Sequence, residues 1–264
     1  MSHSTAIPLE WGRETVAYFS KLPARRLMVF VHGFGGGSAS TWSGAETQLI
    51  SDSRTGATDI VFYGYNSLRA QPELSAGKLR AFLRAAASAS ADWNRVIASA
   101  LGEPVARVYD DVLIVAHSLG APVARRAVLD SISEDAPWVD RVRLLLFAPA
   151  HMGALLSKLQ KELSGTMGGL VASIAALAKL RVLPLDGLEP GSPFLNQLLS
   201  DSDKALKKGW ADQVRARQVI FGDEEAVVLP QRFLEDPPPE VWEGYGHCEI
   251  CRCPKTVPAI VSHL

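Results

Sequence analysis

Hydrophobic positions along the chain fall into short, dense runs separated by longer stretches with helical period. Leu27 to Val31 is wholly apolar and stops at His32-Gly33. A run of that length bounded by turn residues predicts a strand buried on both faces. Asp59 to Gly64, Asp111 to Ala116, Val142 to Phe147 and Gln218 to Phe221 repeat the pattern, and a further short strand is expected around Val241-Trp242. Between them, Pro72 to Leu101 is rich in Ala, Leu and Arg. Leu119 to Ile132 sets Val123, Ala127 and Val128 on one face with Arg125 and Arg126 on another, as an amphipathic helix does. Strands alternating with helices predict an α/β fold with a mostly parallel central sheet and helices on both faces.

The alternation breaks between His151 and about Trp210, where a long Ala/Leu/Gly-rich region offers no strand before Gln218. We read this region, about 152–210, as a helical cap inserted into a single domain spanning 1–264. Gly165, Gly168 and Gly169 act there either as hinges of a moving lid or as breaks in a buried helix pair. Its leucines, among them Leu155, Leu159 and Leu163, line an acyl pocket, touch a lipid interface or simply pack as core.

Composition then narrows the partners. The chain has 264 residues, enough for one large apolar core, and a formal net charge of -1. No charge excess points to nucleic acid or to anionic lipid. The expected partner is small and weakly charged. Residues 1–10 lack the basic start and apolar run of a secretory signal. Leu163 to Ala178, apolar but interrupted by Gly and Ser, is too short to cross a bilayer. The three cysteines all fall between Cys248 and Cys253, which favours a reducing cytoplasm over a disulfide framework.

The first chemical signal is Asp111-Val-Leu-Ile-Val-Ala-His-Ser-Leu-Gly120: a hydrophobic strand running into a sharp turn and a helix, the setting of a Gly-x-Ser-x-Gly nucleophile elbow. Ala116 and Gly120 supply the small flanking residues, with Ala in place of the first Gly. Ser118 is thereby the candidate nucleophile, and the amide of Leu119, at a helix N-terminus, a candidate oxyanion donor. His117 is expected to point away from the reaction and to pack or hydrogen-bond.

The second signal is Val29-Phe-Val-His-Gly-Phe-Gly-Gly-Gly37, a strand ending at the same edge of the sheet. The backbone amide of Phe34 is the second candidate donor to an oxyanion. A phosphate-binding reading of the loop is disfavoured, because no Gly-Lys-Ser/Thr follows and Ser38 stands where the dinucleotide motif wants Gly. His32 is expected to hold the loop by hydrogen bonds.

A serine nucleophile needs a base, and the base an acid. Gln218 to Phe221 leads into Gly222-Asp-Glu-Glu-Ala-Val-Val228, a loop with three carboxylates, and Gly244-Tyr-Gly-His247 follows near the C-terminus. Taken together, these segments resemble the α/β-hydrolase superfamily, in particular its lipase and esterase branch, over most of the chain. That resemblance implies the chain order Ser, acid, His, and an acid loop of the form Gly-x-x-Asp-x-x-Val. Counted from Gly222, it puts Glu225 at the acid position and Val228 at the apolar one, with Asp223 in reserve and Glu224 third. It also makes His247 the base. The other five histidines agree with this choice: His3 and His263 lie near the termini, while His32, His117 and His151 have structural readings. Ala148-Pro-Ala-His-Met-Gly153 and Pro190-Gly-Ser-Pro-Phe-Leu195 also look lipase-like.

The expected activity is hydrolysis of a carboxylic ester, with no cofactor. A hydrolase scaffold serving only to bind, and acyl transfer or thioester cleavage on the same triad, are the alternatives. Trp42, Tyr63 and Tyr65, near strand ends, either line the substrate site or pack in the core; of these, Trp42 and Tyr65 are the substrate-binding candidates. His247-Cys248-x-x-Cys251-x-Cys253 has a spacing that could bind zinc, but one tight cluster gives awkward geometry, and buried or surface thiols are the expectation.

Overall fold

The computed structural model describes residues 2–155, 158 and 186–264. Eight strands form one sheet: β1 (Ile7–Leu9), β2 (Thr15–Tyr18), β3 (Arg26–Val31), β4 (Thr58–Tyr63), β5 (Asp111–His117), β6 (Val142–Phe147), β7 (Ala216–Gly222) and β8 (Glu240–Trp242), in the order β1-β2-β4-β3-β5-β6-β7-β8. From β4 to β8 every neighbouring pair is parallel, whereas β1–β2 and β2–β4 are antiparallel. Consecutive residues of β3, β4, β5 and β6 are buried. Since successive side chains point to opposite faces, both faces of the sheet must be covered.

The cover comes from α1 (Ala45–Ser51), α2 (Pro72–Ala87), α3 (Ala91–Leu101), α4 (Gly120–Ser133), α5 (Pro193–Lys207), α6 (Ala211–Val214) and α7 (Thr256–Val261). Helices α2, α4 and α5 pack side by side, and α1 meets α7. Parallel strands need such crossovers, and the crossovers bring the carboxyl ends of β3, β5 and β7 to one edge of the sheet, where their loops can meet.

The apolar runs predict β3 to β8 to within a few residues. The antiparallel pair β1–β2 is an addition to that expectation. The helical stretch Pro72 to Leu101 forms two helices: Ala89 turns to φ 52°, and Ser90 caps the next helix by accepting a hydrogen bond from the Trp93 amide at 3.2 Å. Arg125 belongs to the interior and not to a polar face. It is 1% exposed and pairs with Asp236 at 2.6 Å, with its guanidinium 4.4 Å from the Phe233 ring centroid. Most of the span read as a cap, including its three glycines and the leucines Leu159 and Leu163, lies outside the described residues. Within its described part, α5 packs against α4.

Candidate active site

Strand β5 carries Ser118 out of the sheet with backbone φ 53°. Such a conformation is strained for a residue with a side chain and persists only when its surroundings over-determine it. Here the Ser118 amide donates to the Phe147 carbonyl at 3.0 Å, and the Ser118 carbonyl accepts from the amides of Ala121 and Ala150. The turn also depends on the absence of a side chain at 120. A Cβ there would stand 2.5 Å from the carbonyl oxygens of Val31 and His32, so helix α4 can start against the end of β3 only from glycine.

The loop after β7 supplies the carboxylates, and the loop after β8 supplies the imidazole. His247 Nε2 lies 2.9 Å from Ser118 Oγ, and its Nδ1 lies 2.8 Å from Glu225 Oε2. A carboxylate can only accept, so Nδ1 carries the proton and Nε2 presents its lone pair to the serine hydroxyl. The other carboxylate oxygen of Glu225 accepts the amides of Val227 at 2.7 Å and Val228 at 3.0 Å. Burial pushes the Glu225 carboxyl up, but the hydrogen bond and charge attraction of His247 and the two amides outweigh it, and the group is held below the usual glutamate range. Asp223 instead accepts the Gly244 amide at 2.7 Å and faces solvent. Glu224 is exposed. The structure thus brings Ser118, His247 and Glu225 into one chain of hydrogen bonds and leaves Asp223 and Glu224 outside it.

The loop after β3 approaches the serine from the other side. A Cβ on Gly33 would lie 2.7 Å from Ser118 Cβ, so glycine lets this backbone reach Ser118. Among the described residues, no hydrogen bond occupies the amides of Phe34 or Leu119. Two free donors beside a nucleophile are what a developing oxyanion needs. His32 holds the loop: its Nδ1–H donates to the Gly33 carbonyl at 2.8 Å, while its Nε2 accepts the Tyr65 amide at 3.2 Å. Burial drives His32 down to about 4, keeping it neutral, as an accepting Nε2 requires.

The sequence matches no protein-family model and no curated protein. Solved structures do match. A peroxisomal alpha-beta-hydrolase from Saccharomyces cerevisiae aligns with a TM-score of 0.57 at 14% identity, over 94% of this chain and 80% of that one. A lipase from Bacillus licheniformis aligns at 0.54 and 16% identity, over 97% and 95%. A carboxyl esterase from the mycorrhizal fungus Tuber melanosporum aligns at 0.52 and 16%, over 100% and 84%. The chain has the α/β-hydrolase fold.

Within this hydrolase fold the remaining candidates separate. Trp42 is wholly buried, edge-on to Phe30 and Phe147 and near His117. It is a core residue, which corrects its reading as a substrate contact: the short 3-10 turn Ser40–Trp42 folds the indole inward beneath the loop. Tyr63 is likewise core, against Phe82. Tyr65 stacks on His32 and its hydroxyl donates to the His32 carbonyl at 2.9 Å, but it also lines a cavity of about 330 Å³ beside the loop of Gly33 to Gly37. His117 does more than fill space. Its Nε2–H donates to the backbone carbonyl of His247 at 2.9 Å, a contact 130 residues apart in sequence that no local pattern signals. His247 spends both ring nitrogens on Glu225 and Ser118. Among the described residues, no group of His, Cys, Asp or Glu is arranged to hold a metal ion, and no helix is long and apolar enough to cross a membrane.

Proposed function

We propose that the protein is a serine hydrolase that cleaves a carboxylic ester through an acyl-enzyme. The observation that carries this reading is the chain of hydrogen bonds from Ser118 Oγ through His247 to Glu225, with the amides of Phe34 and Leu119 beside it. As Ser118 Oγ attacks the ester carbonyl carbon, its proton passes to His247 Nε2. The carbonyl oxygen becomes an oxyanion against the two amides. Glu225 keeps the imidazole in the tautomer that accepts and stabilises the imidazolium that results. His247 then gives the proton to the departing alkoxide, and water repeats the sequence to release the acid. Losing one such oxyanion donor typically costs about 3 kcal/mol of barrier, so the loop of Gly33 to Gly37 matters as much as the side chains.

A fluorophosphonate should label Ser118, and purified protein should hydrolyse p-nitrophenyl esters. Both activities should vanish in Ser118→Ala. A scaffold that only binds would show neither in the unsubstituted protein; a complete relay weighs against that reading. The same relay serves acyl transfer and thioester cleavage, which an acceptor-alcohol and thioester panel separates from hydrolysis. The clustered cysteines support our assignment to a reducing cytoplasm, and one domain with an inserted cap remains our proposal for the whole chain.

A further inference from the structure

The cavity beside the oxyanion loop is walled by Phe34, by Cys248 and Arg252 of the segment following His247, and by Arg13, Asn66 and Ser67. It lies against the loop that carries the Phe34 amide and against the segment that directly follows His247, without reaching the His247 ring itself. In the reaction proposed above, on which this inference rests, the departing oxygen has to lie within hydrogen-bond reach of His247 Nε2. Cys248, the residue directly after His247, is the wall residue nearest in sequence to that base.

The cavity wall carries few alkyl side chains. Apart from Phe34, Leu68 and the Tyr65 ring, it offers glycine backbone, hydroxyls, the Asn66 amide, the Cys248 thiol, the imidazoles of His32 and His117, the Glu14 carboxylate and two guanidinium groups. The charges do not cancel. Arg13 and Glu14 stand 3.7 Å apart and offset each other, and burial holds His32 and His117 neutral by lowering both. Arg252 has no carboxylate partner among the described residues. Its Nε donates to the Thr41 carbonyl at 3.3 Å, which orients the side chain along the wall and leaves its terminal nitrogens for another acceptor. We propose that this cavity receives the alcohol portion of the ester, and that this alcohol carries an anionic group, phosphate or carboxylate, which Arg252 binds.

Esters sharing one acyl chain test the proposal: 1-butyrylglycerol, 1-butyrylglycerol 3-phosphate and the butyryl ester of 3-hydroxybutyrate. We expect kcat/KM at least tenfold higher for one or both anionic esters than for the neutral one, and the two anionic arms distinguish phosphate from carboxylate. In Arg252→Gln that ratio should fall to about one, and Arg252→Lys should retain part of it. Titration of glycerol 3-phosphate, 3-hydroxybutyrate and glycerol into the protein gives a readout that needs no turnover: an anionic alcohol should bind at least tenfold more tightly than glycerol, and Arg252→Gln should abolish the difference. Equal rates for neutral and anionic esters in a protein that turns over p-nitrophenyl butyrate would overturn the inference and leave the hydrolase reading intact. Absence of fluorophosphonate labelling and of any turnover would overturn that reading, and the titrations would still decide the anion site. A preference that survives Arg252→Gln also overturns it.

Discussion

Two buried carboxylates sit at opposite edges of the sheet, and their surroundings differ in one respect that matters. Glu225, beyond the carboxyl end of β7, and Asp59, at the amino end of β4, are both almost wholly enclosed. Asp59 accepts the Ser20 amide at 2.8 Å and the Tyr109 hydroxyl at 2.7 Å, and Arg107 Nε lies 3.1 Å away. Arg107 in turn donates to the carbonyls of Leu22 and Ser20, and Trp93 Nε1 donates to the Tyr109 hydroxyl. That network ends in backbone carbonyls and an indole. The Glu225 network ends instead in a serine hydroxyl on strained backbone, next to two amides that have no partner among the described residues. Burial raises Asp59 despite its partners, whereas at Glu225 the imidazole and two amides prevail. The lesson is that burying a carboxylate is not itself a sign of catalysis; what distinguishes the edge proposed as catalytic is the group at the end of the chain of bonds.

Substitutions at the two edges should therefore fail in opposite ways. The largest effect belongs to Ser118→Ala, which should cut kcat by about 10⁴-fold or more while the denaturation midpoint stays near that of the unsubstituted protein; kinetics and chemical denaturation on one preparation measure both. Glu225→Gln should lower kcat by about 10²- to 10⁴-fold, because the neutral amide can present its N–H to Nδ1 and favour the wrong tautomer. A loss below tenfold would remove Glu225 from its proposed role. Asp59→Asn is the mirror image. It leaves Arg107 buried without its counter-charge, at a cost of about 3–5 kcal/mol against a total stability of only about 5–15 kcal/mol, while kcat/KM of the folded fraction stays within about twofold.

A smaller effect is carried by pH. His32 is held down to about 4 in the folded protein, while the unfolded chain takes up that proton near 6.5. The contribution of this residue is thus fully present above pH 6.5 and is lost as the pH falls toward 4. From His32 alone the protein should be about 2 kcal/mol less stable at pH 5 than at pH 7. His117 and His151, lowered by burial as well, act with the same sign. Denaturant midpoints that do not move between those pH values would count against neutral buried imidazoles. The smallest expected effect is that of Asp223→Asn, within about twofold in kcat/KM, and it sharpens the contrast with Glu225 two residues on.

Where sequence and structure agree, the signal is local. Strands β3 to β8 were legible because each is a short apolar run between turn residues, and the elbow because strand, serine and helix are contiguous. Strand β1 has three residues, one of them Pro8, too few for a period. The break at Ala89 is hidden because Ala and Ser surround it with no Gly or Pro to mark the turn. Arg125 shows the limit of reading a helix face: the residue that permits its burial, Asp236, is 111 positions away. Trp42 shows the same limit for aromatic residues near strand ends, since whether a ring points inward depends on the turn that carries it. Glu225 could be singled out only by resemblance to a family loop, because three carboxylates stand within three positions and the amides of Val227 and Val228 that select one of them belong to the folded turn.

The hydrogen bond from His117 to the His247 carbonyl has a mechanical consequence. Ser118 and His247 sit on turns that follow different strands, so any breathing of the sheet would act on their separation. His117 ties the backbone of His247 to the position next to Ser118. That bond gives the segment carrying His247 a fixed point against the residue that precedes Ser118.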